Sequence, residues 1–187
     1  DIDTVTYTLG GVANPELGWG RQDESWAFMD TLGALGGETW FNLGDRDLAL
    51  HVERTRRLQS GETLSAVTAD MAQRFGITAA IAPMADRDVR TIVETPDGPL
   101  AFQHYFVRDR CEPTVTGFLF DGAAGASPSP AIAAAFETTG PDLVVICPSN
   151  PFISIDPILV VPGLRDMLSQ SAAPVIAVSP IVGGQAI

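Results

Sequence analysis

A short apolar run that ends between two prolines places the strongest limit on how this chain folds. Residues 143–146 read Leu-Val-Val-Ile, a composition typical of a strand buried on both faces, as in a parallel sheet. Pro148 and Pro151 cannot continue a sheet ladder, so the strand predicted over residues 142–147 must end there. Cys147, at the end of this strand, is predicted to be a small core residue.

The polar residues after this strand form the first candidate site. Ser149, Asn150 and Ser154 are expected to project from a loop at the carboxyl end of the strand, the edge where open α/β sheets bind ligands. Backbone N–H groups in such a loop suit a phosphate or a nucleotide. The alternative is an ordinary turn that uses turn-forming residues.

Helical periodicity and turn signals account for most of the remaining chain. Helices are predicted from Asp23 to Gly36, from Asp45 to Gly61 and from about Leu64 to Phe75, with Asp23 and Asp45 at the starts of the first two. Residues 5–9 fit either a strand, by periodicity, or a short helix capped by Asp3. Later predicted elements are strands 77–83, 115–120 and 174–178, a hairpin over 89–102, a helix after Ser129-Pro130, and a helix over 164–168.

This order of elements predicts the fold class. Helices and strands alternate with short links in the last third of the chain, as they do around a parallel sheet. We therefore expect a single α/β domain over residues 1–187, Rossmann-like, with a mainly parallel sheet and helices on both faces. Residues 14–110 would form an inserted helical and hairpin region, and residues 111–187 would belong to a nucleotide-binding core.

Charge and composition exclude several classes of protein. The 187 residues are 45% hydrophobic and 18% charged, and no apolar run approaches the roughly 20 residues that a membrane helix needs. No secretion signal is visible, so a cytoplasmic location is expected. The 11 basic residues, all arginine, face 23 acidic ones, and the net charge of −12 argues against nonspecific nucleic-acid binding. An anionic substrate would need arginines, helix N-termini or a divalent metal.

Two more polar clusters are candidates for chemistry. Asp45 and Arg46 lie where a glycine turn meets a predicted helix start, so free backbone N–H groups there would bind an anion or a sugar. Asp47 and His51, four residues apart, share a face of that helix. The alternative for this cluster is a capped helix with solvated charges. Asp1 and Asp3 offer the oxygen ligands that Mg²⁺ prefers.

Taken together, these motifs resemble the 2-phospho-L-lactate transferases, also described as phosphoenolpyruvyl transferases, of coenzyme F420 biosynthesis. The matching stretches fall in order along the whole chain. They are Asp1-Ile2-Asp3-Thr4, Trp19-Gly20-Arg21, Leu43-Gly44-Asp45-Arg46-Asp47 with His51 and Arg54, Val93-Glu94-Thr95, Cys111-Glu112-Pro113, Pro148-Ser149-Asn150-Pro151 with Ser154, Val161-Pro162-Gly163, and Ser179-Pro180-Ile181.

The resemblance implies a transferase. A 2-phospholactyl or phosphoenolpyruvyl group would pass from a guanosine-diphosphate-linked donor to the deazaflavin 7,8-didemethyl-8-hydroxy-5-deazariboflavin, GMP would leave, and Mg²⁺ would assist. Asp3 would be the catalytic residue, as a base or as a metal ligand beside Asp1, and the enzyme would be a homodimer. The residues implied for the acceptor are Asp3, Thr4, Asn42, Asp45, Arg46 and His51.

The resemblance also implies parts that lie outside this chain. The family pattern begins with a Gly-rich phosphate loop before Asp1 and continues after Ile187, so this chain is expected to be an internal piece that is inactive alone. The alternative function is that of a nucleotide-sugar-binding regulator of the related gluconeogenesis-factor family, and a third possibility is a piece with the fold and no activity.

Overall fold

Helices make up the first part of the chain and short sheets appear only in the second part. The computed structural model describes residues 1–137 and 140–186. The chain divides into two units, Asp1–Pro83 and Met84–Ile187, and each is described by itself. In the described residues no helix is both long enough and apolar enough to cross a membrane.

The first unit begins with helix α1, Ile2–Leu9, so the helical alternative for this stretch is confirmed. Asp1 caps it, whereas Asp3 was the predicted cap. One Asp1 carboxylate oxygen accepts hydrogen bonds from the backbone N–H groups of Asp3 and Thr4, at 3.0 and 3.3 Å. Asp3 lies in the first turn instead, and its carboxylate is free to contact a different helix.

Helix α2, Ala27–Ala34, is shorter than the pattern predicted, and Asp23 does not cap it. Asp23 has a φ of +55°, a left-handed conformation that is incompatible with a helix start at this residue. The first N–H groups of α2 are bound by the carboxylate of Asp45, which accepts from Ala27 at 3.1 Å and from Phe28 at 3.0 Å. A cap from a distant residue leaves no local sequence signal, which is why the predicted start was wrong.

Helices α3, Asp45–Gln59, and α4, Leu64–Arg74, confirm the periodicity of the sequence. Gly61 and Gly76 follow them with positive φ values of 94° and 73°, which glycine tolerates without strain. Thr63 caps α4 through its side-chain oxygen. Arg57 ties the two helices together by forming ion pairs with Glu62 and Asp70.

The core of the first unit lies between α1, α3 and α4. Its buried members are Tyr7, Leu50, Val67 and Met71, and Phe75 packs against them in an edge-to-face contact with Tyr7. Tyr7 and Val67 are 1% and 0% exposed, which fixes the face that α1 and α4 turn inward. Packing Tyr7 into this core favours the helix over the strand for residues 2–9, because helical spacing leaves Asp3 and Tyr7 on one face.

The second unit opens with an antiparallel sheet of three strands, β1 (Arg90–Thr95), β2 (Gly98–Ala101) and β3 (Gly117–Asp121), in the order β2-β1-β3. The predicted hairpin and the predicted strand near 115–120 are confirmed. Val93, in the central strand, is fully buried and pairs with Leu100 and with Phe118. The aromatic stretch after β2 forms a helical turn, His104–Arg108.

Three further helices and two small sheets follow in the described part of this unit. Helices α5 (Pro130–Glu137), α6 (Asp156–Leu159) and α7 (Leu164–Gln170) alternate with β4 (Val144–Ile146) and β5 (Val175–Ala177), and β6 (Ile181–Val182) pairs with β7 (Gln185–Ala186). The core of this unit joins Ala85, Ala126, Val161 and Leu164. Ser129, the predicted cap of α5, is buried, but its hydroxyl makes no hydrogen bond within the described residues.

The parallel pairing of β4 with β5 is confirmed, but the strand over 142–147 is shorter and more open than predicted. Val145 is 48% exposed, and Cys147, predicted to lie in the core, is exposed. A pair of three-residue strands buries its side chains much less than the multi-stranded parallel sheet that the apolar run predicted.

Two other sheet predictions need correction. Residues 77–83 form no strand, and the larger sheet is antiparallel rather than parallel. The periodicity of such a short apolar run does not distinguish a strand from an irregular connection. The run becomes a strand only where a partner strand lies beside it. The two units divide at residues 83 and 84, and the predicted division into an insertion over 14–110 and a core over 111–187 stays a prediction.

Candidate functional site

An ion-paired cluster joins α1 to α3 in the first unit. Asp3 comes from the first turn of α1, and Arg54, 51 residues later on α3, donates to both of its carboxylate oxygens. The bond from Nη2 of Arg54 is 2.9 Å long. His51, one turn before Arg54, has its Nε2 atom 3.6 Å from Asp3. The two-pronged contact fixes the orientation of the Asp3 carboxylate.

The hydrogen bonds of His51 define its tautomer. Nη2 of Arg54 lies 3.0 Å from Nδ1 of His51. Because a guanidinium can only donate, Nδ1 accepts this hydrogen bond and the ring proton of neutral His51 is on Nε2. Nε2 faces two carboxylates, Asp3 at 3.6 Å and Asp47 at 3.4 Å. His51 thus offers a donor between two acceptors, at the partly exposed edge of the cluster.

Asp47 links this cluster to the core. The buried hydroxyl of Tyr7 donates to Asp47 at 2.5 Å, and the predicted i, i+4 face of α3 brings His51 to the same carboxylate oxygen. Asp47 is itself only 9% exposed. A buried carboxylate with two polar partners is held in a single orientation, because it would otherwise carry the full cost of desolvation.

The surroundings of these groups shift their pKa values in consistent directions. Burial raises the pKa of the Tyr7 hydroxyl, and the hydrogen bond to Asp47 raises it further. Burial also acts to raise the pKa of Asp47, but the hydrogen bonds with His51 and Tyr7 outweigh it, so this pKa lies below its ordinary value. Burial lowers the pKa of Arg54, but Asp3 more than offsets this effect. The cluster therefore holds the Tyr7 phenol in its neutral form, the Asp47 carboxylate in its ionised form and the Arg54 guanidinium as a cation.

A pocket of about 260 Å³ opens beside Asp47. Its lining combines apolar and polar side chains, and two of them are indoles, Trp19 and Trp26, which are 54% and 38% exposed. Asp47 is common to the pocket and to the cluster. The other residues that line the pocket are Asn14, Leu17, Gly20, Arg21, Asp23, Glu24, Asn42 and Gly44.

A structured loop presents Trp19 to this pocket. Its base is closed by pairing of Ala13 with Arg21 and by a hydrogen bond of 3.0 Å from the Asn14 N–H to the carbonyl of Gly20. The Asn14 side chain accepts from two further N–H groups inside the loop. Gly18 and Gly20, on either side of Trp19, have φ values of +72° and +70°. These are left-handed conformations that favour glycine, so the backbone itself sets the direction of the indole.

The start of α3, predicted to bind an anion, is already occupied by a protein carboxylate. Glu24 accepts from the N–H of Arg46 at 2.8 Å and from the N–H of Asp47 at 2.9 Å. Asp45 in turn caps α2 and accepts from the hydroxyl of Ser25 at 2.7 Å. The hydrogen bond from Ser25, followed by that from Phe28, lowers the pKa of Asp45. Acceptor binding by Asp45 and Arg46 stays a prediction.

The carboxylates of Asp1 and Asp3, the predicted magnesium ligands, contact other groups of the protein, and magnesium binding by them stays a prediction. Asp1 points its carboxylate at the start of α1 and at the hydroxyl of Thr4, 3.0 Å away, whereas Asp3 is bound to Arg54. A guanidinium across both oxygens of Asp3 would repel a divalent cation there. Over residues 1–137 and 140–186, no group of three or more His, Cys, Asp or Glu side chains is placed to hold a metal ion.

The second predicted site lies in the other unit and is a helix start. The side-chain oxygen of Asn150 accepts from the N–H groups of Phe152 and Ile153, at 3.0 and 3.3 Å, and so caps the helical turn Pro151–Ile155 that leads into α6. Ser149 and Ser154 flank this cap and are partly buried. Binding of a nucleotide phosphate by these three residues stays a prediction.

Sequence reasoning did not assign a site role to four residues that the structure brings to this region. They are Tyr7, Arg54, Trp19 and Trp26. Arg54 has a local signal, because it lies three residues after His51 and on the same helix face. Tyr7 contacts Asp47 across 40 residues, and the indoles come from a loop and from the start of a helix. No spacing in the sequence indicates that these residues meet.

Comparison with solved structures defines the fold class. The chain is similar in fold to protein BH3568 of Bacillus halodurans, with a TM-score of 0.59 and 17% identity over 92% of this chain and 51% of that protein. A second structure of BH3568, described as a member of the UPF0052 family, matches with a TM-score of 0.56 and 18% identity. This mixed α/β arrangement is therefore a known fold.

Sequence comparison then gives the family. The family described as 2-phospho-L-lactate transferase CofD matches residues 1–186, and the chain belongs to this family. It is 43% identical to the phosphoenolpyruvate transferase of Streptomyces griseus, over 98% of this chain and 58% of that protein. The enzymes of the same name from Streptomyces coelicolor and Mycolicibacterium smegmatis are 42% and 40% identical. The chain spans 58% of the length of each of these three relatives.

Proposed function

We propose that the protein to which this chain belongs is a transferase of coenzyme F420 biosynthesis. It would move a 2-phospholactyl or phosphoenolpyruvyl group from a guanosine-diphosphate-linked donor to 7,8-didemethyl-8-hydroxy-5-deazariboflavin and release GMP. Family membership over residues 1–186 and 43% identity to a phosphoenolpyruvate transferase support the proposal. The cluster of Asp3, Arg54, His51 and Asp47 is the observation that links this proposal to particular residues.

In this proposal Asp3 binds the attacking hydroxyl of the acceptor. The hydroxyl oxygen forms a bond to the phosphorus that carries the acid, the bond from that phosphorus to the GMP oxygen breaks, and the hydroxyl proton passes to the Asp3 carboxylate. Phosphoryl transfer depends mainly on positioning and on stabilising charge, so a carboxylate fixed by Arg54 is a suitable anchor. His51 donates from Nε2 next to this carboxylate and would hold a second oxygen of the acceptor.

The proposal assigns Asp3 to the acceptor rather than to a metal ion. Both Asp3 oxygens already contact Arg54, and Asp1 caps α1. Mg²⁺, which the family resemblance implies, would therefore need ligands other than these two residues. Phosphate binding by the loop of Ser149, Asn150 and Ser154, a cytoplasmic location and a homodimer remain part of the proposal as expectations.

Substitution of Asp3 tests the proposal in the intact protein. Asp3→Asn keeps the size of the side chain and removes its charge and basicity, so kcat for transfer to the deazaflavin should fall by roughly 100-fold or more. Added Mg²⁺ should not restore the rate. Glu53→Gln is the matched control, because Glu53 is an exposed acid on α3 that pairs with neighbouring Arg56, and the activity of this variant should remain unchanged.

Three outcomes would contradict the proposal. An Asp3→Asn variant with normal turnover would exclude Asp3 as the group that binds the hydroxyl, and rescue by Mg²⁺ would make Asp3 a metal ligand. An intact protein that binds nucleotide sugars and transfers nothing to the deazaflavin would support the regulatory alternative. The likeness in fold to BH3568, at 17% identity, does not by itself favour either function.

A further inference from the structure

We infer that a small cavity beside Asp3 holds one buried water molecule, which bridges Asp3 to Thr68 and makes Thr68 a positioning residue for transfer. The positioning role rests on the proposed function, because there Asp3 holds the acceptor hydroxyl. The cavity lies in the first unit, where α1, α3 and α4 meet, and each helix lines it with residues three or four positions apart, which share a face. These residues include Asp3 and Thr6, Leu50 and Arg54, and Thr68 and Met71.

The buried hydroxyl of Thr68 is the feature that points to a bound water. Thr68 is 3% exposed, and over the part of the chain that the structure describes its hydroxyl makes no hydrogen bond. A threonine inside a helix often bonds the carbonyl one turn before it, as Thr31 does by donating to Ala27 at 2.7 Å. Thr68, on α4, makes no bond of this kind. A buried hydroxyl without a partner carries the full cost of desolvation, so a polar molecule in the cavity would offset that cost.

The volume of the cavity selects the occupant. A buried water needs roughly 10–15 Å³ of space and two to four polar partners. The cavity measures about 10 Å³, which is enough for one water and too little for any larger ligand. Cavities with purely apolar walls stay dry, whereas Asp3, Arg54 and Thr68 place a carboxylate, a guanidinium and a hydroxyl on the walls of this one. Both the size and the chemistry of the cavity therefore favour a single water.

The Asp3 carboxylate can accept this additional hydrogen bond. A carboxylate offers about four lone-pair sites. Arg54 donates to each of the two oxygens of Asp3, which leaves about two sites for other donors. The water would donate to one of them and accept from the hydroxyl of Thr68, and the acceptor hydroxyl would use the other. The bridge therefore satisfies Thr68 without displacing Arg54 from Asp3.

The bridge would hold the Asp3 carboxylate from a second helix. Arg54 holds it from α3, with a bond of 2.9 Å from Nη2, and the water would hold it from α4. A displacement of about 1 Å at a reacting group can lower the rate of a reaction by roughly 100-fold. Thr68 contacts the acceptor at no point in the proposed transfer, so its effect on the rate would pass through the position of Asp3.

Amide hydrogen exchange in α1 and α4 of the intact protein tests the bridge without any need for activity. Thr68→Val keeps nearly the same shape and removes the hydroxyl. If the water bridges Thr68 to Asp3, this substitution breaks the bridge and should speed exchange in both helices. If the hydroxyl is unpartnered, its removal relieves a desolvation cost and exchange should slow. In an Asp3→Ala background the acceleration by Thr68→Val should disappear, because the carboxylate that holds the water is already gone.

The transfer assay tests the positioning role. Thr68→Val should lower kcat by roughly 10-fold, the low end for one hydrogen bond to a charged group, and leave KM for the deazaflavin nearly unchanged. Thr68→Ser keeps the hydroxyl and loses a buried methyl group, so it should regain most of kcat while being less stable than the wild type. A merely structural role would give the opposite order, since valine preserves the packing better than serine. Ser129→Ala is the matched control: Ser129 is 1% exposed, its hydroxyl likewise has no partner among the described residues, and its loss should leave kcat unchanged.

A crystal structure of the intact protein completes the test, and it should show an ordered water within hydrogen-bond distance of both Thr68 and Asp3. Slower exchange in Thr68→Val, or a dry cavity in that structure, would overturn the bridge. Faster exchange with an unchanged kcat would overturn the positioning role. A protein in which Thr68→Val speeds exchange only when Asp3 is present, but which transfers nothing to the deazaflavin, would keep the water bridge and refute the proposed function.

Discussion

The hydrogen bond between Tyr7 and Asp47 connects the hydrophobic core to the cluster of Asp3, Arg54, His51 and Asp47. Tyr7 is buried in the core and donates to a carboxylate that faces the pocket, so one side chain serves both stability and the site. A hydrogen bond to a charged group contributes roughly 1.5–3 kcal/mol. Loss of the Tyr7 hydroxyl also removes one of the two side-chain hydrogen-bonding partners, Tyr7 and His51, that lower the pKa of this buried carboxylate.

Tyr7→Phe should therefore lower the free energy of unfolding by roughly 1.5–3 kcal/mol. The ring remains in the core, so the loss reports on the hydroxyl alone, and urea unfolding followed by circular dichroism measures it. Tyr105→Phe, at the other tyrosine of the chain, is the control and should cost less because Tyr105 is partly exposed. Equal losses of unfolding free energy in the two variants would contradict a specific stabilising role for the hydrogen bond from Tyr7 to Asp47.

The lowered pKa of Asp47 predicts a specific response to acid. The folded pKa lies below the unfolded value of about 3.9, so Asp47 contributes stability above about pH 4 and loses it as the pH falls through the folded pKa. Asp47→Asn should be less stable than the wild type at pH 7, and the difference in free energy of unfolding should shrink between pH 5 and pH 3. A difference that does not depend on pH would contradict this assignment.

The site could be predicted from the sequence only where its residues are neighbours on one element. Asp47 and His51 share a face of α3, as their spacing of four residues predicts. Asp3 meets Arg54 across 51 residues and Tyr7 meets Asp47 across 40, and these pairs depend on how α1 packs against α3. Periodicity describes one helix at a time and cannot give such contacts.

Helices α2 and α3 cap each other, and this exchange explains why Gly44 precedes α3. Glu24, before α2, caps α3, while Asp45, at the start of α3, caps α2. A Cβ atom at Gly44 would lie 2.2 Å from the carboxyl carbon of Glu24, although the φ of −68° at Gly44 is open to any residue. The constraint on this position is therefore the path of the Glu24 side chain rather than the backbone.

Gly44→Ala and Glu24→Ala should each lower the free energy of unfolding by about 1–2 kcal/mol, the cost of losing a helix cap. Because both changes remove the same carboxylate from α3, the double variant should cost little more than either single one, and thermal unfolding of all three closes the cycle. Gly61→Ala is the control. A Cβ atom at Gly61 would meet no other atom, but the φ of +94° there disfavours alanine, so this substitution costs backbone strain alone. Its cost should add fully to that of Glu24→Ala. If the costs of Gly44→Ala and Glu24→Ala were additive, the two residues would act independently and the Glu24 side chain would not be the constraint on Gly44.

Elements with local signals were predicted well, and those that need a distant partner were not. Helices α3 and α4 carry a helical period between a start signal and a glycine, and the hairpin of β1 and β2 is built around Pro96-Asp97-Gly98. The run over 77–83 has the composition of a strand, but a strand forms only against another strand. The start of α2 moved because its cap comes from Asp45, 18 residues away from Ala27.

The residues that the structure describes contain two hydrophobic cores, one in each unit. Tyr7, Leu50, Val67 and Met71 form the first, whereas Ala85, Ala126, Val161 and Leu164 form the second. In the described residues no side chain belongs to both clusters. Cores that share no side chain are expected to open as separate cooperative units.

Leu50→Ala and Leu164→Ala make a matched pair for this prediction, since both leucines are buried, at 9% and 5% exposure. Each substitution should cost about 2–5 kcal/mol in its own unit, through lost burial and the cavity left behind. Amide hydrogen exchange followed by mass spectrometry should then separate the units. Leu50→Ala should speed exchange in α1, α3 and α4 and leave β1 and β3 protected, and Leu164→Ala should speed exchange in α7 and leave α3 and α4 protected. If either substitution accelerates exchange equally in both units, the two cores unfold as one and the division at residue 83 has no energetic meaning.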